Sequence, residues 1–207
     1  MILYWFSWIV LRVYFVMIMR VRVEGRENIP PSGSFVLCSN HVSWLDPLLL
    51  GAMFPRRLYY MTKVEAFASP LAALILRTVG AFPVRRHAPD RGAIRRALDL
   101  LRTGRTVAVF PEGTRSRDGR LGPAEPGAAL LALWSGTQVL PVAISGAYRP
   151  GRLRLRYGPV FRLSRPDNRR HSGEALRRLA DEEIMGRVAA LLPGGAARRT
   201  RVAVDPA

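Results

Sequence analysis

His41 and Asp46 stand five residues apart in Asn40-His41-Val42-Ser43-Trp44-Leu45-Asp46-Pro47. The segment follows a predicted strand and opens a predicted helix, and functional groups gather at the strand ends of α/β sheets. Across the first turn of a helix the carboxylate can accept a hydrogen bond from one imidazole nitrogen. That fixes the tautomer and leaves the other nitrogen free to take a proton. Ser43 falls on the wrong side of the turn to act as a nucleophile. What remains is the base and orienter of a triad without its nucleophile. Such a pair suits chemistry in which the substrate's own hydroxyl attacks, and the protein supplies only the base and a site for the oxyanion. Alone this spacing is a weak signal, because a histidine ahead of a helix is more often a cap or a core residue.

Two further segments and one residue strengthen it. Phe110-Pro111-Glu112-Gly113-Thr114-Arg115-Ser116 follows the apolar run 106–110. Pro111 and Gly113 place it in a loop, and the glycine lets backbone come close to a ligand. Arg115 and the Thr114 hydroxyl are natural phosphate ligands, and Glu112 can orient an arginine or bind an acceptor hydroxyl. Gly80-Ala81-Phe82-Pro83-Val84-Arg85-Arg86 ends a short extended stretch in two guanidiniums. Of the 32 basic residues, 31 are arginine, and the one lysine is Lys63. A compact ammonium retained in so arginine-rich a chain hints at a specific use.

The elements that must carry these groups alternate. Strands are expected at 21–24, 34–39, 58–62, 81–84, 106–110 and 139–145, and at 153–157, where strict alternation suggests a half-exposed edge strand. Helices are expected at 42–53, 70–78, 90–103, 127–135 and 173–192. The clearest is 90–103, with Ile94, Ala97, Leu98 and Leu101 on one face, Asp90 as N-cap and Gly104 as stop. Strand–helix alternation predicts a single α/β domain with a mostly parallel central sheet flanked by helices. The division expected is a membrane anchor segment at 1–20, the catalytic domain at 21–193 and a disordered Arg-rich tail at 194–207.

Residues 2–19 are apolar except for Ser7 and Arg12. Tyr4, Trp5, Trp8 and Tyr14 are of the types that favour a bilayer interface. The expectation is a segment dipping into one leaflet, with Arg12 reaching toward headgroups; a single span is close behind. Arg20, Arg22 and Arg26 would hold the rest of the chain on the cytoplasmic side. The net charge of +17 implies an anionic partner: nucleic acid, a membrane surface, a phosphorylated substrate or an acidic carrier, among which charge alone does not choose. Nucleic acid is set aside, since there is no recognition motif and the apolar N-terminus serves it poorly. The single cysteine, Cys38, has no metal-ligand spacing around it.

Together the four segments resemble the glycerophospholipid acyltransferase superfamily, most closely its 1-acyl-glycerol-3-phosphate acyltransferases. Residues 40–47 match the histidine–four-residue–aspartate signature and 80–86 the second block, whose closing arginine falls on Arg86. Residues 110–116 match the phosphate-binding block and Val139–Ile144 the proline-bearing fourth. The resemblance covers about residues 22–160. It implies that His41 is the base and Asp46 its partner. It also implies that Arg86, Glu112, Gly113, Thr114 and Arg115 bind the glycerophosphate of the acceptor, with Lys63 beside them. It implies acyl-CoA or an acyl carrier protein as donor, with no metal and no bound cofactor. One departure stands out. Many members carry lysine where this chain has Glu125, which puts the headgroup in question and admits another lysolipid as acceptor.

Overall fold

A computed structural model of the protein describes residues 2–85, 90–116, 118–164 and 172–195. Arg86 and residues 196–207 of the expected tail lie outside this range. Helix α1 (Ile2–Val13) runs on through one π-helical turn, and strands β1 (Arg22–Glu24) and β2 (Phe35–Ser39) follow. Next come α2 (Asp46–Met53), β3 (Leu58–Lys63), α3 (Pro70–Thr78), β4 (Ala81–Val84), α4 (Arg91–Arg102) and β5 (Thr106–Val109). The chain continues through α5 (Gly127–Ser135), β6 (Gln138–Gly146) and β7 (Leu153–Tyr157) to α6 (Gly173–Leu179) and α7 (Gly186–Leu191), which a π-helical turn joins.

The strands form one sheet in the order β1-β7-β6-β2-β5-β3-β4. All neighbouring pairs are parallel except β6 with β7. β2 is central, and every residue in it is buried. Period-two alternation sends Val36 and Cys38 to one face and Phe35 and Leu37 to the other. The first face is covered by α4, α5 and the α6–α7 helix, through Ala97, Leu101, Leu131 and Val188. The second is covered by α2 and the end of the first helix, through Phe15, Leu49, Leu50 and Phe54. Each fully buried side chain of this size contributes about 1.5–3 kcal/mol.

The sequence reading holds for α4, where Asp90 Oδ1 accepts from the Ala93 amide at 2.9 Å as an N-cap. It fails in two instructive places. β7 alternates as expected, with Leu153, Leu155 and Tyr157 buried, but it is not at the edge, because the short β1 pairs outside it. α2 begins at Asp46 rather than at residue 42, because residues 42–45 are wrapped around the aspartate carboxylate.

The first helix is half core and half surface. Tyr4, Phe15 and Met19 are buried, whereas Trp5, Phe6, Ile9, Val10 and Val13 are exposed. Arg12 is half-buried. Its Nη1 donates to Ala52 O at 3.1 Å, and its guanidinium lies over the Trp8 ring. Ala52 lies in the last turn of α2, where carbonyls lack helical partners and a cation is favoured. Among the described residues no helix is long and apolar enough to cross a membrane.

Candidate active site

β2 and β5 run parallel and side by side, so the loops after them emerge together at the C-terminal end of the sheet. Asn40, the first residue past β2, extends the ladder with its side chain. Its Nδ2 donates to Ile144 O at 2.9 Å, and its Oδ1 accepts from Ile144 N at 2.8 Å. The primary amide stands in for a peptide group and ties the loop to β6 just before His41.

His41 is buried, and its Nδ1 lies 2.8 Å from Asp46 Oδ2. With the proton on Nδ1, Nε2 keeps the lone pair that a base requires. The ring stacks on Phe110, with centroids 4.0 Å apart and planes 18° from parallel. Asp46 is wholly buried and has a full set of donors. Oδ2 also accepts from the amides of Val42 (2.6 Å) and Ser43 (2.7 Å), and Oδ1 accepts from the Tyr148 hydroxyl at 2.5 Å. A carboxylate out of water survives as an anion only with such compensation. Burial and the neighbouring Asp46 charge push the Tyr148 hydroxyl well above the usual phenol range, so it stays a donor.

The second loop grips the first by its backbone. Glu112 Oε1 accepts from His41 N at 3.0 Å, and Oε2 accepts from Gly122 N at 2.9 Å. Ser116 N donates to His41 O at 2.7 Å. Glu112, expected to contact substrate, is therefore placed as a brace between loops. Burial pushes its carboxyl upward, and its two backbone hydrogen bonds oppose the shift. Gly113 has φ +65°, a left-handed turn that strains other residues, and a Cβ there would meet the Glu125 side chain at 3.2 Å. Thr114 is exposed beside it, and Arg115 is half-buried.

Lys63 and Arg115 converge on one residue. The exposed Trp44 ring has the Arg115 guanidinium 3.9 Å from its centroid and Lys63 Nζ at 5.6 Å. Among the described residues neither cation has a carboxylate partner. Glu125 pairs instead with Arg177, at 3.5 Å. Ser43, set aside as a nucleophile, accepts from Leu45 N through its hydroxyl oxygen. No group of three or more His, Cys, Asp or Glu among the described residues is placed to hold a metal. Thus His41, Asp46, Glu112, Gly113, Thr114, Arg115 and Lys63 come to one end of the sheet. Sequence reasoning gave no role to Asn40, Trp44 or Tyr148. The first two lay within the quoted motif; Tyr148, 102 residues from its partner, left no local signal.

Tyr148→Phe removes one donor from Asp46 without changing the shape of the core. We expect kcat to fall about tenfold, roughly the ~1.4 kcal/mol of a modest charge-assisted hydrogen bond, with acceptor KM within about twofold. Steady-state kinetics checks this; an unchanged kcat would make the hydroxyl a bystander.

The fold and site define an α/β protein that holds an imidazole on a buried carboxylate, beside two cations that have no carboxylate partner among the described residues. The family model described as acyltransferase matches residues 20–145, and the chain belongs to that family. It is 31% identical over 145 residues to a 1-acyl-sn-glycerol-3-phosphate acyltransferase of Bacillus subtilis, covering 67% of this chain and 72% of that protein. It is 37% identical over 126 residues to a lyso-ornithine lipid O-acyltransferase of Pseudomonas aeruginosa, covering 60% and 47% respectively. The match spans as little as 36% of the length of other relatives. The crystal structure of the 1-acyl-sn-glycerophosphate acyltransferase from Thermotoga maritima superposes with a TM-score of 0.61 at 30% identity, covering 79% of this chain and 68% of that one.

Proposed function

We propose that the protein transfers a fatty acyl group from an acyl thioester to the free hydroxyl of 1-acyl-glycerol-3-phosphate, forming phosphatidic acid for phospholipid synthesis. The observation that carries this is the His41–Asp46 pair bonded, through Ser116 and Glu112, to the loop that presents Arg115. Arg115, with Arg86, takes the acceptor phosphate, and Thr114 lends its hydroxyl. His41 Nε2 removes the proton from the acceptor hydroxyl as that oxygen bonds to the thioester carbonyl carbon. The tetrahedral oxyanion is met by backbone amides or by Lys63. When the carbon–sulfur bond breaks, the thiolate leaves with the proton from His41. The donor is acyl-CoA or an acyl carrier protein, both anionic and suited to a surface of this charge. The exposed apolar side of α1, with Leu71, Leu74 and Ile75 exposed on α3, supports placement against the cytoplasmic face of the cell membrane.

A second reading keeps the chemistry and changes the acceptor. Glu125 supplies a carboxylate where many members have a cation, and it stands against Gly113 in the phosphate-binding loop. This favours a lysolipid with a cationic group in its head. Assay of a lysolipid panel with both donor types separates the two. If lysophosphatidic acid is the acceptor, Arg115→Ala raises its KM roughly tenfold or more with kcat little changed. An unchanged KM with a lowered kcat would contradict the phosphate role.

A further inference from the structure

A second cation-lined cleft lies away from His41. It has a volume of about 420 Å³ and is lined by Trp8, Arg12, Arg26, Ile29, Pro30 and Arg56, among others. Residues 26–31 lead into β2, and Arg56 lies between α2 and β3. The cleft therefore opens at the N-terminal end of the parallel strands, opposite the catalytic loops.

Three guanidiniums share this cleft, and among the described residues no carboxylate is in its wall. Arg56 is fixed, its Nη1 donating to Gly33 O at 2.9 Å and its Nη2 to Pro30 O at 3.2 Å. Its Nε is buried and finds no acceptor. Arg12 is held by Ala52 O and the Trp8 face. Arg26 is exposed and has no salt-bridge partner among the described residues. Gathering three cations without an anion costs free energy that an anion would recover. Planar guanidinium forks match phosphate oxygens in particular. The rest of the wall is apolar, and Trp8 meets the exposed Trp5 edge-on, with ring centroids 5.7 Å apart. Anion recognition thus passes directly into the apolar surface of α1.

We propose that this cleft binds the phosphate of an anionic lipid, with the lipid's hydrocarbon lying along α1, at a site separate from the acceptor site. The proposal takes from the functional reading only that α1 rests on a bilayer. In vesicle sedimentation the full-length protein should bind phosphatidylcholine vesicles carrying roughly 20 mol% phosphatidic acid at least fivefold better than neutral ones. Arg26→Gln should remove most of that advantage. Arg95→Gln, on the outer surface of α4, should keep it. Transfer to a detergent-dispersed acceptor should be the same in both variants and the parent, showing both are folded. Equal losses from both variants would reduce the effect to diffuse charge and overturn the site. So would inorganic phosphate that abolishes the advantage at about 1 mM, since the occupant would then be free phosphate. Binding to neutral vesicles with no gain from phosphatidic acid would overturn the site and leave the membrane reading standing. No binding to either vesicle would end both.

Discussion

We expect His41→Ala protein to fold and to bind its substrates, with an acyl-transfer rate of about a thousandth of the parent or below. A positioned base contributes about 10²–10⁴-fold. Among the described residues the imidazole is the only side-chain base that hydrogen-bonds to Asp46 and keeps a second nitrogen for a proton. Its loss costs the fold little. Asp46 keeps three donors, Val42 N, Ser43 N and the Tyr148 hydroxyl, and Phe110 loses one stacked ring, ~1 kcal/mol. Single-turnover assay beside a thermal melt separates the two effects. Full turnover by a folded variant would end the mechanism.

Asp46→Asn is the more discriminating change. Three donors converge on Oδ2, two of them backbone amides that cannot turn away. They hold the asparagine oxygen at that position and leave its amide against the Tyr148 hydroxyl, which can rotate to accept. The tautomer of His41 therefore survives, and only the charge is lost. A neutral amide cannot stabilise the imidazolium that forms as the hydroxyl proton is taken, so kcat should fall on the order of a thousandfold. The melting temperature should drop by only a few degrees, about 1 kcal/mol for a chain of this size. Asp46→Ala should differ: it leaves two part-buried amides without their acceptor, at up to about 1–3 kcal/mol each, and lowers stability as well as rate. If Asn and Ala variants melt alike, the backbone bonds do not hold the loop.

The sequence exposed the parts of the site that are local and hid the parts that are not. His41 and Asp46 were readable because one turn of chain fixes their distance. The loop 110–116 was readable because proline and glycine mark it after a buried strand. The start of α2 was misjudged because apolar periodicity cannot show that a side chain will capture the amides of the residues before it. The alternation of β7 suggests an edge because it reports one wet face and says nothing of the neighbour beyond it. The hydrogen bond from Arg12 to a backbone carbonyl 40 residues on has no local signal either. Tyr148 was invisible for the same reason. Only the return of β6 beside β2 brings the chain after it against Asp46.

Phe110 lies flat against the His41 ring while Asp46 holds one edge. A ring pinned on its face and along one side cannot turn over between half-reactions. Departing and arriving protons must use the same nitrogen, from the same direction. On the mechanism proposed above, in which the acceptor hydroxyl attacks the thioester directly, both substrates occupy the cleft at once. The order expected is sequential, through a ternary complex, and initial-rate kinetics with a ping-pong pattern would contradict it.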